Sequence, residues 1–266
     1  MKALRLLAWQ GRHELKSYWR NPASTFFTFL FPLMFLVIFA SLNNGATIDF
    51  LGGLAYNQYF IPGIIAFGII SATYTQIAIT LSLRRQMGVL KRLRSTPVPA
   101  WAILGGLVVC AFVVAALIAA LTTALGIVAY GVVFPGHWVA LAVALLVGAS
   151  TFCSIGVAVS TLIPNADAAP AVVNGVFFPI LFISGTFFPA EPGSTIGRIA
   201  SVFPIQHFNL AVFTAFDPRL QHGPSHGFAW GHIAVMAAWA VGARPLAVRR
   251  FRWDSARSPA SERQPA

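Results

Sequence analysis

Long apolar stretches separated by short polar segments dominate the pattern of this 266-residue chain. A helix needs about 20 mostly apolar residues to cross a bilayer. Six stretches are candidates, at residues 26–42, 59–81, 101–131, 138–163, 171–188 and 228–248. Because lipid offers no partners to backbone groups, each span must satisfy its own hydrogen bonds as a helix. The pattern predicts an all-α integral membrane protein with six transmembrane helices.

The residues before the first span follow a different pattern. Apolar positions such as Leu4, Leu7 and Leu15 recur at helical spacing, while basic residues occupy the rest of the helical wheel. Asn21-Pro22 then ends the helix. We expect residues 1–25 to form a short, cytoplasmic amphipathic helix in the membrane interface. The pattern allows two roles for it, a charged anchor or a contact for a cytoplasmic partner.

The rest of the chain reads as one membrane domain, residues 26–252, followed by a polar tail. Residues 253–266 have the composition of a disordered cytoplasmic segment. Residues 189–227, between spans five and six, are too apolar for a free loop, which predicts outer re-entrant helices. The apolar run at 101–133 is longer than one upright helix requires, so we expect it to tilt, to begin in the interface, or to break near Gly126.

Composition and charge indicate a membrane location and predict which parts of the chain face the cytoplasm. Hydrophobic residues make up 57% and charged residues 9% of the chain, against about 25% charged residues in soluble domains. The net charge is +11, and sixteen of the eighteen Lys and Arg residues lie in the N-terminal stretch, a central loop and the C-terminal tail. Six spans with both termini inside put all three clusters in the cytoplasm, as the positive-inside bias requires. The charge therefore indicates a multi-pass protein of the cell membrane rather than a nucleic-acid binder.

Several kinds of chemistry are disfavoured by what the chain lacks. It has no G-x-x-x-x-G-K-[S/T] motif, so any ATP must be bound by another polypeptide. Its seven acidic residues are scattered, which argues against a membrane transferase that needs a divalent cation. Ionisable residues within the spans are confined to His232 and Arg244 near the ends of span six, which disfavours an ion-driven transporter. Gly223-Pro224 interrupts the helical spacing of His222 and His226. We expect no catalytic residue, metal site or cofactor in this chain.

The central basic loop carries most of the remaining information. If residues 84–94 form one helix, Met87, Leu90 and Leu93 lie along one side and the basic residues lie elsewhere. Such a segment can orient the protein and touch anionic lipid, at about 1 kcal/mol per basic residue. It can also be a docking element for a partner protein. Composition alone does not distinguish this role from orientation and lipid contact.

Two motifs resemble the permeases of type-2 ABC (ATP-binding cassette) exporters. The loop resembles that family's R-E-x-G-T-L-E-x-L-x-x-T-P segment between spans two and three. The matching residues are Gly88, Leu90, Leu93, Thr96 and Pro97. Residues 182–189, followed by 203–204, resemble the family's S-G-x-x-F-P motif at the outer end of span five. The residues concerned are Ser184, Gly185, Phe188, Pro189 and Pro204. The resemblance covers about residues 1–252.

The resemblance implies a drug- or antibiotic-export-like permease that pairs with a second copy or paralogue and binds cytoplasmic ATPase subunits. ATP and Mg would then belong to the partner ATPase, with no cofactor in this chain. The loop would be the coupling helix, formed by Arg84, Arg85, Met87, Gly88, Leu90, Leu93, Arg94, Thr96 and Pro97. Met87, Leu90 and Leu93 would dock on the ATPase, Gly88 would permit close approach, and Pro97 would end the helix. Gln86 and Lys91 stand where the family has acidic residues.

These observations predict the membrane subunit of an ATP-driven exporter that moves a hydrophobic or amphipathic compound, such as a drug, an antibiotic or a lipid, out of the cell. Membrane lipids would surround it, and no nucleic acid would be involved. A polysaccharide or lipid-linked glycan exporter of the same superfamily is the alternative. An ATP-independent channel or membrane scaffold is the more remote one.

Overall fold

The computed structural model describes residues 2–96, 98–189, 193–220 and 226–250. Two short antiparallel strands, β1 (Thr47–Ile48) and β2 (Leu54–Ala55), form a hairpin. The helices are α1 (Lys2–Trp19), α2 (Pro22–Leu42), α3 (Tyr56–Ile70), α4 (Gln76–Gln86), α5 (Val89–Arg94), α6 (Ala100–Tyr130), α7 (Trp138–Ser160), α8 (Ala169–Ile183), α9 (Thr195–Ala200), α10 (Pro204–Phe216) and α11 (Trp230–Arg250). The predicted tail at 253–266 lies outside the described residues.

Helices α3 and α4 form one continuous helix. A π-helical segment, Ser71–Thr75, joins them, so the combined helix runs over the 31 residues of Tyr56–Gln86. We call it the central helix, because it packs against α2, α6, α7 and α10 and its α3 part is buried on nearly every side. At a rise of 1.5 Å per residue it is about 45 Å long.

Within the described residues, four helices are long and apolar enough to cross a membrane: α2, the central helix, α6 and α7. They correspond to the first four predicted spans. Helix α8 is also apolar but has 15 residues, about 22 Å, against a hydrocarbon core of about 30 Å. It ends at Ile183, so the predicted fifth span at 171–188 extends too far. Helix α11, at the predicted sixth span, has 21 residues and is long enough to cross a membrane. Arg244 and Arg249 lower its mean hydropathy, and it is not among the four helices named above.

The predicted stop at Asn21-Pro22 is confirmed. Helix α1 ends at Trp19, and α2 begins at Pro22 with Asn21 as its N-cap, whose side chain accepts a hydrogen bond from the Ser24 N–H at 3.3 Å. Proline suits this position because its missing N–H would have no helical partner. Helix α2 therefore begins four residues before residue 26, the predicted start of the first span.

Helix α6 is continuous, which excludes a break near Gly126, one of the three arrangements that the sequence left open. It ends at Tyr130, and the next residue, Gly131, has a φ of 64°, a conformation that glycine adopts readily. A Cβ on Gly126 would lie 2.7 Å from the Ile61 side chain. The glycine therefore allows α6 to pack closely against the central helix instead of ending a helix.

The amphipathic helix α1 lies against the start of α6. Glycines make this contact close: a Cβ on Gly106 would meet Gln10 at 2.9 Å, and a Cβ on Gly11 would meet Val109 at 2.7 Å. Trp9 and Trp19 remain exposed. The helix is thus docked on its own chain as well as suited to an interface.

The molecule has two ends, set by the central helix. The basic end contains α1, the segment from Arg84 to Thr96 and the turn between α7 and α8. The hairpin end contains β1–β2, the turn after α8 and the C-terminal end of α10. Helices α9 and α10 lie within residues 189–227, where the sequence predicts re-entrant helices, and their placement at the outer face stays a prediction.

Candidate functional site

The predicted coupling helix is interrupted. Helix α4 ends at Gln86, and Gly88 turns the chain with a φ of 68° before α5 begins at Val89. This φ is costly for residues other than glycine. A single helix over residues 84–94 is therefore wrong, and α5 covers Val89–Arg94 only. It ends before Ser95, while Pro97, predicted to end it, lies outside the described residues.

Leu90 faces the interior of the chain. It is 1% exposed and belongs to a cluster of apolar side chains from the central helix, α6 and α7. The cluster consists of Ile77, Leu81, Leu90, Leu107, Ala111 and Cys153. The prediction that Leu90 docks on a partner is therefore corrected, because its side chain anchors α5 to the membrane helices.

The exposed surface of α5 is basic with apolar neighbours. Met87 is 53% exposed, and Leu93 is half-buried. Lys91 and Arg92 are exposed. Thr96 is also exposed, and its hydroxyl donates to the Leu93 carbonyl at 2.6 Å. Of the three predicted docking residues, Met87 and Leu93 remain partly accessible.

The last turn of α4 is bound to two other elements. Arg84 donates from Nη1 and Nη2 to Oε1 and Oε2 of Glu14 in α1, at 2.8 and 2.6 Å. Their side chains are only 18% and 14% exposed, and paired bonds of this kind are among the stronger ones. Arg84 therefore connects α4 to α1.

The next two residues connect α4 to the turn after α7. Arg85 donates to the Ser160 carbonyl at 3.0 Å and also to the Ile163 carbonyl. The Ala166 N–H donates to Oε1 of Gln86. We call Arg84, Arg85 and Gln86 the α4 junction. Sequence reasoning assigned the two arginines to a partner, whereas the structure shows contacts within the chain.

A cavity of about 220 Å³ lies beside the junction, between α1, α2, α4 and α6. Glu14, Arg84 and Met87 line it together with Tyr18. Burial raises the pKa of Tyr18 above its ordinary value, so its phenol is neutral at physiological pH.

The second predicted motif is folded against the central helix. Ser184 and Gly185 form the turn that ends α8. The Tyr56 hydroxyl donates to the Phe187 carbonyl at 2.8 Å, and the Tyr59 hydroxyl donates to the Gly185 carbonyl. We call residues 184–188 the motif turn. Phe188 is exposed next to the loop residue Pro189.

Close packing and a buried amide hold the motif turn further. A Cβ on Gly63 would lie 2.3 Å from the Thr186 carbonyl oxygen. Asn209 Nδ2 donates to the Thr186 hydroxyl at 2.5 Å and to the Ser184 carbonyl at 3.3 Å. Pro204, the last predicted motif residue, lies buried in the first turn of α10, which carries Asn209. The contact residues Gly63 and Asn209 have no local sequence signal that identifies their partners.

An ion pair closes the hairpin end. Arg219 donates to both carboxylate oxygens of Asp217, with Nη2 2.6 Å from Oδ2, and its Nη1 donates to the Leu51 carbonyl. Burial by itself would raise the pKa of Asp217, but the hydrogen bonds and charge of Arg219 outweigh it and keep that pKa below its ordinary value. The pair ties the end of α10 to the hairpin.

Comparison with known proteins identifies the family. Residues 5–216 match the ABC-2 type transporter family. The chain is 25% identical over 156 residues to the Escherichia coli K12 protein named "Probable multidrug ABC transporter permease YbhR". It is 26% identical over 156 residues to "Inner membrane transport permease YadH" of the same strain. Each match covers 58% of this chain, but 42% of the first relative and 60% of the second.

The family match and the apolar helices both indicate a membrane protein. The matched region includes the α4 junction, α5, the motif turn and the four described helices that are long and apolar enough to cross a membrane. The protein is accordingly a multi-pass protein of the cell membrane. The chain belongs to the ABC-2 type transporter family, whose members are membrane permeases.

Proposed function

We propose that this chain is the membrane permease subunit of an ATP-driven exporter, with ATP and Mg held by a separate cytoplasmic ATPase. The observation that carries the proposal is the α5 segment, which presents Met87, Leu93 and basic residues at the end of the central helix. The positive-inside bias supports a cytoplasmic basic end, so α5 is within reach of a soluble partner. A second permease copy or paralogue completes the transporter.

The contacts of α5 support a role in transmitting force. Leu90 joins α5 to the cluster at the basic end, and the α4 junction joins the same end to α1 and to the turn after α7. A partner that displaces α5 therefore moves several helices together. The central helix extends about 45 Å to the motif turn, which is a physical route between the ends.

The membrane setting and the name of one relative support a substrate class. The proposed cargo is a hydrophobic or amphipathic compound, such as a drug, an antibiotic or a lipid. The relative named as a probable multidrug permease supports this class. Export of a polysaccharide or lipid-linked glycan is the alternative within the same superfamily.

The test is complex formation with a cognate ABC ATPase. Met87→Asp and Leu93→Asp place a charge on the exposed side of the segment, and we expect each to lower the yield of co-purified complex and the rate of transport at least tenfold. Met87→Leu and Leu93→Met are the matched controls and should retain both. Full complex formation and transport by both aspartate variants would exclude the docking role, and transport without any ATPase would favour a channel.

A further inference from the structure

Two histidines from different helices meet where α11 packs against α10. The Nδ1 atom of His207 in α10 lies 2.7 Å from the Nδ1 atom of His232 in α11, which is hydrogen-bond distance. The Nε2 atom of His207 lies 2.8 Å from the Ser201 carbonyl oxygen, in the turn before α10. Both rings are half-buried. The two imidazoles therefore form a hydrogen-bonded link between the helices, which we call the histidine pair.

The contacts of the histidine pair fix where its hydrogens lie. A carbonyl oxygen only accepts, so the Nε2 atom of His207 carries a hydrogen. In the neutral ring the Nδ1 atom of His207 is then an acceptor, and the Nδ1 atom of His232 donates to it. A proton added to Nε2 of His232 keeps this bond and strengthens it, because the donor becomes charged. A second proton must go to Nδ1 of His207, where it places two hydrogens between the nitrogens and abolishes the bond.

Among the described residues, the elements around the histidine pair supply no carboxylate to balance a second charge. Helices α3, α7 and α8 pack against α10 or α11 and contain no Asp, Glu, Lys or Arg. On these helices, or near the pair along the chain, the described titratable side chains are Tyr56, Tyr59, His137, Cys153, Arg198, Asp217, Arg219, His226, Arg244 and Arg249. Asp217 is paired with Arg219 and, at a rise of 1.5 Å per residue, lies about 15 Å along the helix from His207. Two charged rings whose centroids are 5.0 Å apart therefore repel each other without compensation.

We propose that the histidine pair is a proton-sensitive contact, which holds α10 to α11 while it carries at most one added proton and releases them when both rings are charged. Helix α10 also carries Asn209, which is bound to the motif turn. Acid that reaches the pair therefore loosens α10 and, with it, the motif turn. A second bond between the same parts of the chain, from the Trp239 indole to the Val202 carbonyl at 3.1 Å, contains no titratable group.

The first test follows the two rings directly. The full chain, labelled with nitrogen-15 at histidine and held in lipid nanodiscs, is titrated by NMR from pH 8 to pH 4, and the ring signals are assigned with His207→Gln and His232→Gln. Coupled imidazoles take up their protons in two steps, and we expect about two pH units between the steps. A nitrogen–nitrogen coupling across the bond between the two Nδ1 atoms should be present above the second step and absent below it. In each variant the remaining ring should titrate in one step.

The second test measures the contact through stability. Below the ordinary histidine pKa of about 6.5, the unfolded chain binds an added proton on each ring, whereas the folded pair binds one. Between pH 6 and pH 5 the folding equilibrium constant of the wild type should therefore fall about tenfold relative to that of His207→Gln. Trp239→Phe is the matched control, because it removes the neutral bond between the same parts of the chain. Its difference from the wild type should not change with pH.

Three results would overturn the proposal: uptake of both protons in one step, a nitrogen–nitrogen coupling that persists below the second step, or a wild-type stability that stays constant relative to His207→Gln between pH 6 and pH 5. The wild-type titration needs no folded variant to count its steps, so a variant that fails to fold leaves the first two results decisive. Because no ATPase takes part, a failed docking test on α5 leaves this result standing, and the reverse also holds.

Discussion

Two residues near opposite ends of the central helix are packed so closely that we expect a substitution there to destabilise the protein. At the hairpin end Gly63 lies against the Thr186 carbonyl, and at the basic end Leu90 fills an apolar cluster. The sequence alone identifies the contact of neither residue. A glycine in an apolar helix and a leucine in a basic loop are each compatible with several environments.

Gly63→Ala should destabilise the protein by about 1–3 kcal/mol, because the new Cβ has no room against the Thr186 backbone. The measurement is thermal unfolding in detergent. Gly175→Ala is the control, since nothing lies within 4 Å of a Cβ there and the residue is within helix α8. That change should be neutral or slightly stabilising. Equal stability of the two variants would contradict the close contact.

At the scale of elements, the links between helices are made by a few polar side chains near the helix ends. The α4 junction binds α1 and the turn after α7, and Asp217 with Arg219 binds the end of α10 to the hairpin. Hydrophobic packing in a bilayer discriminates weakly between protein and lipid neighbours, so such bonds contribute to the specific arrangement of the helices.

The Arg84–Glu14 pair is tested by a double-mutant cycle with Glu14→Gln and Arg84→Gln. We expect a coupling energy of about 1 kcal/mol, because the bond is bidentate and largely shielded from water. Denaturant unfolding supplies the free energies. The control cycle pairs Glu14→Gln with Lys91→Gln, which is exposed on α5 and should be additive. Additivity in both cycles would mean that the ion pair contributes nothing to stability.

The Asp217–Arg219 pair predicts a pH dependence. The pKa of Asp217 is lower in the folded protein than in the unfolded chain, so its stabilising contribution is complete above the unfolded pKa of about 3.9 and is lost as the pH falls through the folded pKa. The wild type should therefore lose its stability advantage over Asp217→Asn in acid. Unfolding midpoints from pH 7 to pH 3 measure this difference.

Asp49→Asn, which removes an exposed carboxylate at the same end, is the control and should follow the wild-type curve. A constant difference between wild type and Asp217→Asn across the whole range would show that the ionised pair is not the source of the stability.

At the scale of the whole molecule, one long buried helix separates a basic end from a hairpin end. If the central helix crosses the membrane, its two ends lie on opposite sides. Placing the basic end in the cytoplasm therefore places the hairpin end outside. The charge clusters predict that orientation, and the central helix shows which loops share each side.

Orientation is measured with single cysteines and a membrane-impermeant maleimide. The native Cys110 and Cys153 are buried and should contribute a low background. A cysteine at Lys91 should be labelled only in inverted vesicles, and one at Asp49 only from outside intact cells. Both residues are exposed, so lack of access does not explain a negative result. Labelling of both positions from the same side would contradict the proposed topology.

The sequence by itself determined the membrane class, the positions of the four long apolar helices among the six spans it predicted, the helix α1, its stop at Asn21-Pro22 and the family motifs. These features depend on local composition, helical period and the backbone preferences of proline and glycine, which are properties of neighbouring residues. The sequence also located the basic loop and the motif turn, but it did not identify the partners of their side chains.

Only the tertiary structure decided that Leu90 points inward, that Arg84 pairs with Glu14, and that Tyr56 holds the Phe187 carbonyl. The partners in the last two contacts are 70 and 131 residues apart. Such contacts depend on which helix faces meet. In a membrane protein an apolar face suits lipid as well as another helix, so hydrophobic periodicity does not specify that choice and the packing of the whole chain does.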